Sequence, residues 1–199
     1  MNGKNVPVNI TGWYVDKDIK TVPVPEIVKG ENIIEITLPF GKTTNTEWCY
    51  LLGDFGVRQI GRTAVITPLP EKLAFDTITK QGLPFYGGNI TYHLEAEGSG
   101  MLIKAARYRG TLIGVCVDGE EKGKIVYPPY SLQIDGLSEG CHKVDITLFG
   151  NRYNGFGPVH LTDESRSWHG PNAWRDDNQW SYEYVLRDIG IKASPVIKV

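Results

Sequence analysis

The segment Val144-Asp145-Ile146-Thr147-Leu148 alternates apolar and polar residues with a period of two. This alternation predicts a β-strand with one face in the core and the other towards water. The segment Asn89-Ile90-Thr91-Tyr92-His93-Leu94-Glu95, which follows Gly87-Gly88, predicts a second strand of the same kind. The 23 glycines and 12 prolines punctuate the whole chain. Strands and turn signals that recur about every ten residues predict an all-β fold, namely an antiparallel two-sheet sandwich.

Two further runs, residues 101–107 and 111–117, are rich in aliphatic and β-branched side chains. They bracket Tyr108-Arg109-Gly110, and this arrangement predicts a hairpin. The Asp118-Gly119 pair that follows predicts a tight turn, because glycine readily adopts the positive φ that such turns need. Only residues 71–81 have a helical pattern, and that stretch is short. The chain is therefore expected to contain little helix.

The chain carries an internal repeat. Residues 131–148 repeat the pattern of residues 21–38 at a constant spacing of 110 (131 − 21 and 148 − 38). Residues 184–192 match residues 50–58 at a spacing of 134 (184 − 50). The apolar, acidic and glycine positions agree in both matches, which indicates a duplication.

The two copies differ in what precedes them. Asn2-Gly3-Lys4 matches Asp118-Gly119-Glu120, yet the second copy has a long β-rich segment ahead of this turn and the first has only Met1. We therefore expect residues 1–57 to be the C-terminal half of a preceding sandwich and residues 58–199 to be a complete one. On this interpretation the first copy lacks its N-terminal strands, and the chain is the tail of a longer protein.

Glycine-, proline- and aromatic-rich motifs run through the second copy. They are Gln81-Gly82-Leu83-Pro84-Phe85-Tyr86-Gly87-Gly88-Asn89-Ile90-Thr91-Tyr92, Val115-Cys116-Val117-Asp118-Gly119 with Gly123, Tyr127-Pro128-Pro129-Tyr130, Gly140, Asn151 with Gly157-Pro158-Val159-His160, and the closing Trp180-x-x-x-Tyr184-x-Leu186. Together they resemble the galactose-binding-like jelly-roll domains at the C-terminal end of large bacterial glycoside hydrolases and their uncharacterised relatives. The resemblance implies a whole jelly-roll domain over residues 60–199, with the catalytic barrel upstream. It implies a binding or a structural role, since this fold hosts both.

Charge and composition exclude several classes of partner. Lys and Arg number 21 against 23 Asp and Glu, so the net charge is -2 and no basic field favours nucleic acid or anionic lipid. No apolar run reaches the ~18 residues that a membrane span needs. The three cysteines, Cys49, Cys116 and Cys141, have no Cys-x-x-Cys spacing, which indicates free thiols in a reducing compartment. The compartment itself is left open by the sequence.

Catalytic patterns are missing from the sequence. Hydrolysis needs a pair of carboxylates across a cleft or a nucleophile with a base. Asp54 and Asp188 hold equivalent places in the two copies, which indicates a turn or strand-edge role, and Glu95 and Glu97 alternate along a strand towards water. The chain contains no nucleophile elbow, phosphate loop or His-Glu-x-x-His motif. We therefore expect a chain that is not itself an enzyme.

The change in spacing between the two matches places 24 extra residues (134 − 110) in the second copy. The segment 151–180 that contains them has three of the five tryptophans and two of the four histidines. A sugar stacks its apolar face on an indole while planar polar groups bind its hydroxyls. The candidate ligand-binding residues are Trp168, His169, Trp174, Asn151, Tyr153 and Arg175.

The alternative for this segment is that its tryptophans fold inward and close one end of the sandwich. Trp180 heads the final strand and is predicted to lie in the core. His160 is predicted to fix the loop by a hydrogen bond.

Hard oxygen ligands in the same loop raise the question of calcium. The resemblance implies that such loops often hold a structural calcium ion, and carboxylates suit it. The candidate ligands are Asp163, Glu164, Asp176 and Asp177, although neither pair has the spacing of a known calcium loop. No other cofactor is expected.

Two functions follow from these observations. The first is a non-catalytic accessory β-sandwich module of a glycoside hydrolase that binds carbohydrate through the segment 151–180. The second is a structural domain that docks onto an upstream catalytic domain and has no ligand of its own. In either case, unpaired strand edges in residues 1–57 favour a homodimer, because exposed edges recruit partners.

Overall fold

The structure is a computed structural model that describes residues 1–25, 27–44, 49–162 and 179–199. The chain divides into two compact units, Met1–Leu51 and Leu52–Val199. The predicted boundary after residue 57 falls inside a strand of the second unit, Gly56–Ile60. Whether the first unit is the rear half of another sandwich stays a prediction.

No strand in the described residues is longer than 9 residues, and the α-helix has 4. The first unit contains β1 (Gly12–Tyr14) and β2 (Asp16–Thr21). The second unit contains β3 (Gly56–Ile60), β4 (Thr63–Thr67), a 3-10 turn (Ile78–Lys80), β5 (Ile90–Glu97), β6 (Met101–Lys104), β7 (Tyr108–Arg109), β8 (Leu112–Val117), β9 (Glu120–Ile125), β10 (Ser131–Ile134), β11 (Cys141–Phe149), α1 (Tyr153–Phe156), β12 (Gly190–Ile191) and β13 (Val196–Lys198).

The second unit is an all-β antiparallel sandwich, which confirms the predicted fold class. One sheet has the order β5-β11-β8-β9 and the other has the order β10-β6-β13. Small two-stranded pairings, β3-β4 and β7-β12, lie outside these sheets. Strand β11 is central, since Val144 stands opposite Leu94 on one side and Val117 on the other. Its even-numbered side chains are buried, as the alternation at residues 144–148 predicts.

The core lies between the two sheets. Buried side chains of β6 and β10 pack in one cluster with those of β8, β9 and β11. The cluster is almost entirely aliphatic, and its fully buried members are Ile78, Met101, Ile103, Ile113, Val115, Val117, Ile125, Val144, Ile146, Leu148 and Ile191. Each such side chain contributes about 1.5–3 kcal/mol when removed from water.

The predicted hairpin across Tyr108-Arg109-Gly110 is wrong. Strand β6 pairs with β10 and β13, whereas β8 pairs with β11 and β9, so the two runs belong to different sheets. The short segment between them crosses from one sheet to the other, and its strand β7 pairs with β12. The predicted turn at Asp118-Gly119 is confirmed: it joins β8 to β9 with φ of 51° and 83°.

The first unit has a different character. It contains the hairpin β1-β2, and none of its described residues is buried. The segment 33–38, which the predicted repeat relates to β11, forms no strand.

Gly190 makes one of the two tightest backbone approaches in the described part of the second unit, equal to that of Gly150. A side-chain Cβ at this position would lie 2.2 Å from the Asp76 carbonyl oxygen, and the φ of Gly190 is +150°. The adjacent Ile189 carbonyl accepts a bond from Ile78 N–H at 2.8 Å. Gly190 therefore allows the segment before the 3-10 turn to pack against the C-terminal strands.

We expect Gly190→Ala to lower the free energy of unfolding by about 3 kcal/mol, since it adds a backbone clash to a strained φ. The matched control is Gly136→Ala, where φ is also positive but no atom lies within 4 Å. That substitution should cost about 1 kcal/mol. Urea denaturation of both variants measures the difference, and equal losses would contradict the proposed role of the close approach.

Candidate functional site

The end of the sandwich beyond β11 is organised by Asn154. This residue lies in α1 and is 2% exposed. Its Nδ2 donates to the carbonyl oxygens of Pro84 and Arg187, each at 2.9 Å, and its Oδ1 accepts from Arg187 N–H at 2.9 Å. One amide thus joins three chain segments that are distant in sequence. These segments form the base of the candidate site.

Four rings pack together above this base, and we call Phe85, His160, Trp180 and Tyr184 the aromatic cluster. The His160 ring lies 4.9 Å from the Trp180 ring and 4.7 Å from the Tyr184 ring, between centroids. Phe85 meets the Tyr184 ring edge-on at 5.1 Å. Such contacts hold the rings in fixed orientations.

Two polar side chains belong to residues close in sequence to the aromatic cluster. The Arg187 guanidinium lies 3.6 Å above the centroid of the Tyr153 ring, a cation–π contact. Gln179 Oε1 is buried and accepts no hydrogen bond from the described residues. Fixed aromatic rings and an exposed guanidinium are groups that bind ligands in other proteins.

Hydrogen bonds close the base of the segment 163–178. Thr162 N–H donates to the Gln179 carbonyl and Ser181 N–H donates to the His160 carbonyl, both at 2.8 Å. Leu161 and Trp180 form an antiparallel bridge between these bonds. The two residues that flank the segment are therefore held side by side.

The predicted role of His160 is confirmed. Its Nδ1 lies 3.0 Å from the Ser181 carbonyl oxygen and 3.3 Å from that of Glu183. A carbonyl oxygen only accepts, so Nδ1 carries the proton. The bond fixes the ring that stacks on Trp180.

The prediction that Trp180 lies in the core is wrong. Its side chain is 38% exposed. Trp180 does not continue a sheet, since its only pairing among the described residues is the bridge to Leu161. The indole consequently stacks on His160 at the surface of the sandwich.

Two of the predicted ligand-binding residues lie in the described part of the chain. Asn151 is exposed, and its Oδ1 accepts from Tyr153 N–H at 3.1 Å, which forms a local turn. Tyr153 is half-buried beneath Arg187. The other predicted ligand-binding residues and the candidate calcium ligands lie outside the described residues; they are Trp168, His169, Trp174, Arg175, Asp163, Glu164, Asp176 and Asp177.

Sequence reasoning missed Arg187, Phe85 and Asn154. The last of these stands next to Tyr153 in the candidate segment, and a buried amide in a short helix gives no pattern of its own. Phe85 and Arg187 reach the site from distant parts of the chain. Only the proximity of Arg187 to the Trp180-x-x-x-Tyr184 motif could have suggested it.

Metal-ligating side chains are scattered. Within residues 1–25, 27–44, 49–162 and 179–199 no three His, Cys, Asp or Glu side chains come together as a metal site would require. Nor does any helix in the described part of the chain have the length and apolar character that crossing a membrane requires.

A charged corner lies at the opposite end of β11. His142 is buried, and its Nδ1 lies 2.6 Å from Asp118 Oδ2. Its Nε2 lies 2.9 Å from the Ser138 carbonyl oxygen and 3.1 Å from that of Gly98. All three partners are acceptors, so this arrangement favours the form of His142 in which both ring nitrogens carry a proton.

The hydrogen bonds of the charged corner shift the pKa values of both His142 and Asp118. The hydrogen bond to Asp118 and the bond to the Ser138 carbonyl raise the pKa of His142 above its ordinary 6.5, against the opposing effect of burial. The bonds from His142 and from Lys143 N–H lower the pKa of Asp118 below its ordinary 3.8. These partners belong to the backbone and to one turn, so the corner stabilises the fold rather than a ligand.

The pKa shifts predict how stability depends on pH. The raised pKa of His142 gives stability that is complete below pH 6.5 and is lost as the pH rises through the folded pKa. The lowered pKa of Asp118 gives stability that is complete above pH 3.8 and is lost as the pH falls through its folded pKa. The free energy of unfolding should therefore be highest between these two values.

Urea titrations across the alkaline branch measure this effect. His142→Asn should flatten the fall in stability above pH 6.5. Asp118→Asn keeps a residue that tolerates positive φ and removes the carboxylate. It should flatten the same branch. An alkaline branch that is unchanged in both variants would show that the pair does not carry it.

A second prediction concerns the base of the site. Asn154→Ala leaves two carbonyl oxygens and one N–H group without partners, and we expect it to lower the free energy of unfolding by about 2–4 kcal/mol. Asn151→Ala is the control, since it removes one exposed local bond and should cost less than about 1 kcal/mol. Equal effects in a urea titration would contradict the central role of Asn154.

No protein-family model matches this chain, and no curated protein sequence does. A GH2 β-galacturonidase from Eisenbergiella tayi with bound glycerol is 18% identical, with a TM-score of 0.39 over 72% of this chain and 22% of its own. A rhamnosidase from Novosphingobium sp. PP1Y is 17% identical, with a TM-score of 0.43 over 77% of this chain and 16% of its own. The chain spans about a fifth of these proteins. At TM-scores this low the likeness carries no argument about function.

Proposed function

We propose that this chain is a non-catalytic accessory β-sandwich module of a glycoside hydrolase and that it binds carbohydrate beside the aromatic cluster. The observation that carries the proposal is the partly exposed indole of Trp180, held by His160 at the base of the segment 163–178. The motifs shared with galactose-binding-like domains support the same interpretation.

The chemistry of the site suits a sugar. The C–H face of a pyranose stacks on an exposed indole, and the ring held by His160 is already oriented for this contact. Arg187 is exposed above Tyr153 and offers guanidinium donors. A rigid aromatic platform loses little conformational entropy on binding.

The sequence adds further groups to this site. Trp168, His169, Trp174 and Arg175 belong to the segment whose two flanking residues are hydrogen-bonded next to Trp180. We propose that the two tryptophans extend the stacking surface and that His169 and Arg175 bind hydroxyl groups. Asn151 and Tyr153 support the site through the turn and the cation–π contact described above.

Calcium enters this proposal as a structural ion. Asp163 and Glu164, with Asp176 and Asp177, supply carboxylates at both ends of the segment, and carboxylates are ligands that calcium prefers. Calcium bound there would hold the segment in its binding form, so affinity for sugar should fall when the ion is removed.

The second candidate function is docking onto an upstream catalytic domain without a ligand. The exposure of the Tyr86 and Tyr182 rings favours it, because exposed aromatic side chains are common at protein interfaces. Binding to isolated sugars distinguishes the two functions.

The test is a thermal-shift and calorimetric screen of the whole chain against galactose, rhamnose, galacturonate, glucose and their polymers, with calcium and with a chelator. We expect at least one sugar to raise the melting temperature. The variant Trp180→Ala should weaken that binding about tenfold, the loss of one aromatic stacking contact, and the double variant Trp168→Ala, Trp174→Ala, which removes two rings, should weaken it more than about tenfold.

Tyr182→Ala is the control, since it removes an exposed ring outside the aromatic cluster and should leave affinity unchanged. The melting temperature of each variant without sugar shows whether it remains folded. A folded chain that binds none of the sugars would overturn the carbohydrate proposal and favour docking. Binding that survives both tryptophan variants would place the site elsewhere.

A further inference from the structure

Arg187 is an exposed cation whose backbone is fixed on both sides. The buried amide of Asn154 accepts from Arg187 N–H through Oδ1 and donates to the Arg187 carbonyl through Nδ2, each at 2.9 Å. Thr79 Oγ1 donates to the same carbonyl at 3.1 Å. These bonds hold the main chain of Arg187 in place, although its side chain is open to water.

The side chain of Arg187 is restrained as well. Its guanidinium carbon lies 3.6 Å from the centroid of the Tyr153 ring. Tyr153 is held in turn by its backbone, since its N–H donates to Asn151 Oδ1 at 3.1 Å and its carbonyl accepts from Gly157 N–H at 2.7 Å. A guanidinium that is already stacked on a fixed ring loses less conformational freedom when it binds a ligand.

The positive charge of Arg187 is not neutralised by the described part of the chain, where no carboxylate forms an ion pair with it. The two acidic residues nearest to it in sequence have other neighbours. Asp188 pairs with Lys192. Glu183 lies beside the turn between β3 and β4, where a Cβ on Gly61 would stand 3.4 Å from its Oε1. The guanidinium is therefore available to an anionic ligand.

Two further donors belong to the segment that carries the Tyr153 ring. The Tyr153 hydroxyl forms no hydrogen bond with any described residue, and Asn151 uses its Oδ1 but not its Nδ2. An amide nitrogen and a guanidinium only donate hydrogen bonds, and a phenol hydroxyl can donate one. The ligand that complements these groups is rich in acceptors and carries a negative charge.

We propose, on the basis of the carbohydrate function above, that the sugar bound here is a uronic acid whose carboxylate pairs with the Arg187 guanidinium. The planar guanidinium presents parallel N–H groups that match the two oxygens of a carboxylate, so the pair is bidentate. The Tyr153 hydroxyl and Asn151 Nδ2 then donate to hydroxyl groups of the same sugar.

The carboxylate sets the preference among sugars of equal ring geometry. A neutral hexose has a CH2OH group in that place, and its single oxygen accepts one neutral hydrogen bond. A carboxylate accepts two charge-assisted bonds, each roughly twice as strong as a neutral one. Because Arg187 is exposed, water and salt screen the pair, so the preference should be moderate and should fall as the salt concentration rises.

Calorimetric titration of the whole chain tests the proposal with matched sugars, namely galacturonate against galactose and glucuronate against glucose. We expect at least one uronate to bind about tenfold more tightly than its neutral counterpart at low salt. The preference should shrink at about 1 M salt. The methyl ester of the preferred uronate lacks the charge, and its affinity should fall to that of the neutral sugar.

Variants of Arg187 locate the carboxylate. Arg187→Gln keeps a hydrogen-bond donor without the charge, so the preference for the uronate should disappear. Arg187→Lys keeps the charge without the planar fork and should retain only part of it. The matched control is Arg107→Gln, which removes an exposed arginine without a ring contact in the described residues and should leave the preference intact. Melting of each variant without sugar shows whether it remains folded.

The outcomes separate this proposal from the carbohydrate function on which it depends. Equal affinity for uronates and neutral sugars would overturn the uronate proposal and leave the carbohydrate function standing. A folded chain that binds neither kind of sugar would overturn both. A preference for the uronate that survives in Arg187→Gln would show that another group binds the carboxylate.

Discussion

The pairing of strand β11 along both edges is the constraint on which the second unit depends. Because both edges of β11 are hydrogen-bonded, its apolar face, formed by Val144, Ile146 and Leu148, is what remains to be shielded from water. The opposite sheet packs against that face. The same strand fixes the two ends of the sandwich. His142 at its start forms the charged corner, and Phe149 at its end leads into the base of the aromatic cluster. About seven residues of extended chain hold these features roughly 23 Å apart.

Secondary-structure features that depend only on the residues of one short segment were predicted correctly at two places. Alternation at residues 144–148 and the positive φ required at Asp118-Gly119 are local properties, and both predictions are confirmed. The hairpin at 108–110 was wrong because the same turn residues serve a hairpin within one sheet and a crossing between two. Which sheet a strand joins depends on core packing between distant residues, as for Met101 in β6 and Ile113 in β8.

In the candidate site, too, local features could be predicted and contacts between distant segments could not. The hydrogen bond of His160 follows from the Gly-Pro-x-His motif, because a rigid turn brings the imidazole back to the chain. Trp180 was assigned to the core because it was predicted to head the final strand, yet it forms only a bridge of one residue pair, with Leu161. Arg187 over Tyr153 and the three bonds of Asn154 join segments that no local pattern relates. These contacts required the structure.

The lack of buried residues in the described part of the first unit has a calorimetric consequence. The heat capacity of unfolding rises with the apolar area that becomes exposed, and this unit already presents its aliphatic side chains to water. Nearly all of that increment should come from Leu52–Val199. An isolated chain would then melt in one transition whose enthalpy is too small for 199 residues. If a partner covered the first unit, the enthalpy of unfolding would rise, because its aliphatic side chains would then also become exposed on unfolding.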